Sequence, residues 1–183
     1  GHTYIGPVRN QGSCGSCYAF AAAACAEGVY NKANNLTDGQ CADFSESFIA
    51  WCLGRLEPYS DHFFGCDGAD YDYQELQALC DVGICSEASF PYQQSDPGSC
   101  THMSDPRVQF QNWYRIPCGD VEAIKTAIMT YGVVDAAVWV SDLFQAYDGG
   151  IFEADSTCYS NPCYYTPTNH AIALVGWDDN GGD

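Results

Sequence analysis

The sequence predicts an α+β protein in which a mostly helical first half precedes a second half built from strands. The stretch from Cys17 to about Lys32 is rich in alanine and apolar on nearly every side, which is typical of a buried helix. Later, Val133 to Val140 and His170 to Trp177 are apolar runs of strand length, and Val108 to Tyr114 partly alternates. We expect any active site to lie in the cleft between the two halves.

Three further segments are predicted as helices. Phe44 to Leu53 and Tyr71 to Val82 are short candidates, and Gly83 ends the second of them. Another helix is expected between an N-cap at Asp120 and Gly132 just past its end. Its apolar residues recur at helical spacing, namely Val121, Ile124, Ile128 and Tyr131.

Composition and charge narrow the possible partners. The chain has 183 residues and a net charge of -18, from 24 acidic and 6 basic residues. Nucleic acid and anionic membranes are therefore not expected partners. The longest apolar run, around Cys17 to Ala26, is about half of the ~20 residues that a bilayer requires. No signal-peptide pattern opens the chain, so we expect that any signal peptide has been removed.

Cysteine is unusually frequent, with twelve residues scattered along the chain. Because they do not form two CxxC knuckles, disulfides are favoured over zinc, and they require an oxidising compartment. The acidic cluster Asp67, Asp70 and Asp72 lacks calcium-loop spacing. The sequence therefore predicts no metal and no cofactor.

Two of the cysteines form a CxxC motif within QGSCGSCYAF, residues 11–20. If a helix begins near Cys17, unpaired N–H groups and the positive end of the helix dipole stabilise its thiolate. This position suits a catalytic nucleophile. It also suits a thioredoxin-like redox pair, in which Cys14 attacks and Cys17 resolves. The redox interpretation is weaker, because no clear strand precedes the motif and ten more cysteines accompany it.

QGSCGSCYAF, followed much later by NHAIALVGW, resembles the papain/cathepsin family of cysteine peptidases. Between them, FSESFIAWC resembles the family's segment that ends in a disulfide cysteine. GCDGAD resembles its substrate-binding loop, and FQAYDGGIF the segment before its histidine. The resemblance implies one papain-like domain over residues 1–183. Its helical lobe would span about 1–105, and its antiparallel, barrel-like β lobe, C-terminally incomplete, about 106–183.

The resemblance implies a catalytic role for three residues. Cys17 matches the nucleophile, His170 the general base and acid, and Gln11 a side-chain donor to the oxyanion. The implied reaction is peptide hydrolysis through a thioester acyl-enzyme. The family's orienting asparagine, followed by Ser-Trp-Gly, has no match in the sequence, and Asn180 lies in turn-like DDNGGD. We expect this asparagine to lie on a C-terminal chain that has been separated by proteolysis and stays bound, unless the sequence itself is incomplete.

The same resemblance implies a set of substrate-binding residues. Gly68 and Ala69 match the loop that hydrogen-bonds an extended substrate. The walls of the pocket for the residue two before the scissile bond match Asp70, Tyr71, Ala137, Asn169 and Ala171. Ala69 replaces the usual glycine, so its methyl group is expected to crowd the substrate. Asp70 lies where the family pocket is usually apolar, which would favour a basic side chain.

Two disulfides are also implied by resemblance, Cys14 with Cys66 and Cys52 with Cys100. Cys25 and Cys41 flank the expected end of the long helix and could pair. The pairing of the remaining cysteines is left open, namely Cys80, Cys85, Cys118, Cys158 and Cys163.

The main hypothesis is therefore a secreted or lysosome-like cysteine endopeptidase that acts on polypeptides and has a propeptide or protein inhibitor. One alternative is a catalytically silent relative that binds peptides in the same cleft. A less favoured alternative is a thiol-disulfide oxidoreductase, which requires a Cys14–Cys17 disulfide. Finally, Asn35-Leu36-Thr37 is an N-glycosylation sequon, which matters if the source is eukaryotic.

Overall fold

The structure is a computed structural model that describes residues 4–71, 73–117, 119–152 and 168–179. Its helices and strands, in chain order, are α1 (Cys17–Asn34), α2 (Gln74–Asp81), β1 (Ile84–Cys85), β2 (Arg107–Val108), α3 (Val121–Tyr131), β3 (Val134–Val138), α4 (Asp142–Gln145) and β4 (His170–Leu174). A π-helical turn and four 3₁₀ turns accompany them, at Phe48–Cys52, Leu53–Arg55, Tyr59–Asp61, Gly65–Asp67 and His102–Ser104.

Helix α1 is the central element, and its prediction from the alanine-rich stretch is confirmed. Ala19, Ala22 and Ala23 are almost fully buried, which places small side chains where neighbouring segments approach closely. The helix ends at Asn35, whose φ of 54° is left-handed and whose backbone N–H bonds back to the last turn. Such an ending suits asparagine, which tolerates this conformation better than most residues.

The core of the first half forms around α1, the π-helical turn and α2. Phe48, Ile49 and Leu53 are completely buried, and Phe90 packs with them. The expected helix at Phe44 to Leu53 is confirmed in part, because Phe44 forms an antiparallel bridge with Ser86 and the later residues form a π turn followed by a 3₁₀ turn. The candidate at Tyr71 to Val82 is confirmed in part, because α2 begins at Gln74.

The described strands form two antiparallel pairs. Strand β1 pairs with β2, and β3 pairs with β4 in a register that sets Val134 opposite Leu174 and Val138 opposite His170. The two later apolar runs each contain a strand, as expected, but β3 ends at Val138 and β4 at Leu174, before the predicted ends at Val140 and Trp177. The strand pairings of the described residues do not close the predicted barrel.

The predicted strand at Val108 to Tyr114 is wrong beyond its first residue, because β2 is Arg107–Val108. The polar groups of this segment bind α2 instead of a neighbouring strand. The backbone N–H of Phe110 donates to Leu79 O (3.2 Å), and the Gln109 side chain donates to Cys80 O (2.7 Å). Trp113 Nε1 likewise donates to Gln77 (2.9 Å).

Helix α3 follows the sequence prediction at both ends. The Asp120 side chain accepts a hydrogen bond from the backbone N–H of Ala123 at 2.9 Å, which satisfies a free donor of the first turn. Gly132, with φ of 98°, ends the helix in the left-handed conformation. Among the helices of the described residues, none is long and apolar enough to cross a membrane.

Helix α1 also packs against β3 and β4, which joins the two halves. Cys25 in the middle of α1 hydrogen-bonds the backbone of Asp135 in β3. Further along the helix, a Cβ added to Gly28 would lie 2.5 Å from Cγ1 of Val133, so only glycine fits this crossing. Helix α1 therefore runs antiparallel to β3.

Candidate active site

Cys17 is the first residue of α1 and carries a free, half-buried thiol. Cys14 is bonded to Cys66, so the second cysteine of the CxxC motif is not tied to the first. Ser16, the N-cap residue, makes no side-chain capping bond, and the Cys17 N–H has no hydrogen-bond acceptor among the described residues. The thiol therefore lies beside unpaired backbone donors and the positive end of the helix dipole.

The Cys14–Cys66 disulfide contradicts the oxidoreductase hypothesis, because that hypothesis requires a disulfide between Cys14 and Cys17. The second disulfide joins Cys52 and Cys100. These are the two pairs that the family resemblance implied. The suggested Cys25–Cys41 pair is wrong, since both cysteines are free thiols. Cys80 and Cys85 are also free, whereas Cys118, Cys158 and Cys163 lie outside the described residues.

Tyr92 holds the segment that precedes the thiol. Its hydroxyl donates to Gln11 O at 2.9 Å and lies 2.7 Å from the Ser16 hydroxyl, which therefore acts as the donor in that contact. Burial raises the pKa of Tyr92, so the phenol keeps the proton that it donates. Sequence reasoning missed this residue, because nothing local to Tyr92 indicates a contact 81 residues away.

The Gln11 side chain lies within the same segment. Its Nε2 donates to Cys14 O at 2.8 Å, which fixes the amide beside the loop that leads into α1. An amide nitrogen carries two hydrogens, so this bond leaves one donor free. The role of Gln11 as a donor to an oxyanion, beside the Cys17 N–H, stays a prediction.

The loop from His62 to Tyr71 lies against this segment through the Cys14–Cys66 disulfide and a hydrogen bond from Gly15 N to Cys66 O (3.0 Å). Within it, Phe64 N donates to Gly68 O and Asp70 N donates to His62 O, both at 2.9 Å. These bonds flank the bridge between Phe63 and Ala69, which is therefore a non-hydrogen-bonded antiparallel pair.

In such a pair, the N–H and C=O of Ala69 point away from Phe63. Neither group has a backbone partner among the described residues. Ala69 thus presents an open edge to which an extended chain can add as a strand. The Ala69 side chain packs against the hydrophobic core, so the expected crowding of this edge by its methyl group is not supported. Asp70 and Tyr71, which follow, are exposed.

His170 is the first residue of β4, half-buried, and lies beside an open cleft of about 290 Å³. The cleft is lined by Val140, Gln145, Asn169 and His170. The Asn169 side chain is fixed by two bonds with the backbone of Val140, at 2.7 and 3.0 Å. Gln145 and Val140 were not among the sequence candidates, because only the fold brings them to the histidine.

The packing of α1 on the sheet brings Cys17 and His170 to the same end of the interface. Cys25 contacts Asp135, and the eight residues back to Cys17 rise about 12 Å along the helix. On β3, the three residues from Asp135 to Val138 rise about 10 Å in the matching direction. Val138 is paired with His170.

The candidate pocket residues fall into two groups. Ala137 and Ala171 are directly opposite each other in the β3–β4 pair, and Asn169 N donates to Val138 O at 3.1 Å. Asp70 and Tyr71 belong to the loop of the first half. The described contacts join the members of each group, and the convergence of both groups in one pocket stays a prediction. No group of three or more metal-binding side chains is found in the described ranges.

Gly15 is required for the close approach of the two loops. A Cβ at this position would lie 2.4 Å from the backbone oxygen of Cys66. We expect Gly15→Ala to force the loops apart, to destabilise the protein by about 1–3 kcal/mol, and to lower kcat/KM. Urea unfolding and peptide-hydrolysis kinetics measure the two effects. Gly149→Ala is the control, because nothing lies within 4 Å of its added Cβ; equal effects in both variants would contradict the argument.

The fold and the site together define a class, that of proteins with a free cysteine thiol at a helix N-terminus and a histidine at the start of a neighbouring strand. Comparison with known proteins makes the class specific. The sequence profile described as papain family cysteine protease matches residues 1–183. Mexicain from Jacaratia mexicana is 33% identical over 175 residues, which cover 94% of this chain and 72% of mexicain. The chain belongs to the papain family of cysteine proteases.

Two solved structures show the same fold. Digestive procathepsin L 3 of Tenebrio molitor larval midgut has a TM-score of 0.79 and 27% identity, over 97% of this chain and 54% of that one. The Carica candamarcensis cysteine protease CMS1MS2, in complex with E-64, has a TM-score of 0.71 and 30% identity, over 94% of this chain and 72% of that one. The chain spans about half the length of several curated relatives that it matches, among them cathepsin J, pro-cathepsin H and cathepsin K of Mus musculus.

Proposed function

We propose that this chain carries the nucleophile and the general base of a cysteine endopeptidase that works in a secreted or lysosome-like compartment. The observation that carries the proposal is the packing register of α1 against β3. With this register, Cys17, whose thiol is free, and His170 lie toward the same end of the interface between the two halves. The Cys14–Cys66 disulfide, which leaves Cys17 unbridged, also supports the proposal.

The proposed reaction proceeds in two halves. Cys17 gives its thiol proton to His170, and the thiolate attacks the carbonyl carbon of the peptide bond. The oxyanion of the tetrahedral intermediate accepts hydrogen bonds from the Cys17 backbone N–H and from Gln11 Nε2. The C–N bond then breaks, the amine leaves with the proton from His170, and a thioester remains. Water, deprotonated by His170, attacks the thioester, and the C–S bond breaks to release the acid and restore the thiol.

We propose that the substrate binds as an extended chain. Its backbone pairs with the outward N–H and C=O of Ala69, an arrangement that the antiparallel bridge with Phe63 supports. Asp70 is exposed beside this edge and has no ion-pair partner among the described residues. A basic side chain two residues before the scissile bond would therefore be favoured there. A propeptide and a further chain segment that carries an orienting asparagine remain predicted partners.

Thiol labelling followed by mass spectrometry tests the proposal. The full-length protein is treated, without reduction, with an epoxide that alkylates thiolates, and its intact mass and peptide map are measured. The thiolate opens the epoxide ring and the resulting alkoxide takes up a proton, so the mass should rise by one whole inhibitor. We expect one adduct, on Cys17, with Cys14 still bridged to Cys66.

The other free cysteines are internal controls. Burial raises the pKa of Cys25 to about 12 and that of Cys85 to about 11, so both stay as unreactive thiols at neutral pH. Cys41 is free but lies outside any helix, without the helix N-terminus that Cys17 has, and should also stay unlabelled. A folded protein that carries no adduct on Cys17, or an adduct shared evenly among its thiols, would contradict the proposal.

A further inference from the structure

The sequence contains a single Asn-X-Ser/Thr sequon, Asn35-Leu36-Thr37, and catalysis does not use it. The structure places this sequon directly after α1. Asn35 is the residue that ends the helix, and its side chain is exposed. Its Oδ1 accepts a hydrogen bond from the hydroxyl of Tyr4 at 3.5 Å, whereas its Nδ2 has no partner among the described residues. The nitrogen that a glycan requires is therefore free.

The space around the sequon is open. Residues 38–40, which follow it, are all exposed, and the turn is closed by a bond from Gln40 N to Thr37 O at 3.1 Å. A Cβ placed on Gly39 would meet no atom within 4 Å. The exposed turn after Asn35 therefore leaves room for a branched sugar.

The sequon is also remote from the candidate active site. Cys17 begins the 18-residue helix α1 and Asn35 follows its last residue, so about 27 Å of helix separates them. A glycan at Asn35 would leave both the open edge of Ala69 and the cleft beside His170 accessible.

We propose that Asn35 carries an N-linked glycan when the protein passes through a eukaryotic secretory pathway. The two disulfides support a secretory route, and the relatives named above come from plants, an insect and the mouse, which have this pathway. In the reaction, Nδ2 forms a bond to C1 of the first sugar of a lipid-diphosphate-linked oligosaccharide. The bond from that carbon to the diphosphate breaks, and the lipid diphosphate leaves as Nδ2 loses one proton. The inference rests on the proposed compartment and not on the proposed catalysis.

The experiment is secretion of the full-length protein from cultured insect cells, followed by intact-mass measurement before and after treatment with a peptide-N-glycosidase. We expect the mass to exceed that of the polypeptide by one glycan. The enzyme should remove this excess and leave an aspartate in place of the glycosylated asparagine.

Four variants make the result specific. Asn35→Gln and Thr37→Ala should lack the glycan, because each destroys the sequon. Thr37→Ser should keep it at least in part, because serine preserves the acceptor motif, and Asn34→Gln should keep it fully. Secreted, disulfide-bonded wild-type protein without a glycan would overturn the inference, as would a glycan that persists in Asn35→Gln. Peptide hydrolysis by Asn35→Gln should equal that of the wild type, so failure here is distinct from failure of the proposed function.

Discussion

Replacing Cys17 by alanine in the full-length protein is expected to lower kcat/KM for peptide hydrolysis by roughly 10⁴-fold or more. The expectation follows from the proposed covalent step, since alanine offers no atom that can form the thioester. His170→Ala should have an effect of similar size. Because the two residues act as a unit, the double variant should be little worse than either single one. Steady-state kinetics with a fluorogenic peptide measure all three.

The matched control is Cys41→Ser, which removes another free, half-buried thiol. This variant should keep wild-type kinetics, and urea unfolding should show that the Cys17 and His170 variants still fold. Substantial hydrolysis by folded Cys17→Ala would refute the assignment of the nucleophile. If the wild-type protein binds peptides but cleaves none, the peptide-binding alternative is favoured.

Raising the pH is expected to destabilise the folded protein through a group of carboxylates around the buried Glu46. Glu27, Asp43, Glu46 and Glu87 come together with one cation, Arg9, which lies 2.7 Å from Asp43. Burial, followed by repulsion from the neighbouring acids, raises the pKa of Glu46 to about 8. Burial likewise raises the pKa of Glu27 to about 7. The folded protein therefore holds these side chains protonated at pH values where the unfolded chain ionises them.

The sign of the effect follows from proton linkage. Below pH 4.5, Glu46 is neutral in both the folded and the unfolded state, so it does not lower the free energy of unfolding. Between 4.5 and about 8, the unfolded state binds fewer protons, so the free energy of unfolding falls by about 1.4 kcal/mol per pH unit. Above that range, the decrease in the free energy of unfolding that is due to Glu46 levels off at about 5 kcal/mol.

Urea unfolding at several pH values from 4 to 9 tests the prediction. Glu46→Gln mimics the protonated side chain, so its stability should fall less steeply above pH 4.5. Glu122→Gln is the control, because this side chain is 85% exposed and its loss should leave the profile unchanged. Parallel profiles for the wild type and Glu46→Gln would show that Glu46 ionises freely in the folded state.

The same acids connect stability to the candidate site. Glu87 accepts a hydrogen bond from the backbone N–H of Tyr92 at 2.6 Å, and the Tyr92 hydroxyl in turn holds Gln11 and Ser16. Repulsion between the ionised side chains of Glu46 and Glu87 should displace Glu87 from this arrangement and loosen the segment that leads to Cys17. Activity is expected to decline over the same pH range in which stability falls.

Much of the local structure could be predicted from the sequence. The alanines of α1, the Asp120 cap and Gly132 of α3, and the apolar runs of β3 and β4 each act within a few residues, and the structure has these elements where the sequence predicts them. The two motifs that carry Cys17 and His170 also identified the family, because their order and separation are specific.

The elements that the sequence predicted poorly depend on partners far along the chain. Val108 to Tyr114 has a strand-like pattern, but α2 offers its carbonyl groups and side chains to it, so the segment binds a helix instead of a strand. The alternating pattern indicates which face of the segment is apolar, but it does not indicate which element supplies the hydrogen-bond partners.

By itself, the sequence determined which residues can form helices and strands and which ones can carry cysteine-peptidase chemistry. Tertiary structure decided which cysteine is bridged and which is free, which strand edge stays open at Ala69, and which carboxylates gather around the buried Glu46. These outcomes depend on packing between segments tens of residues apart, as in the 52-residue separation of Cys14 and Cys66. The free energy of such contacts is set by burial and geometry, which local sequence does not encode.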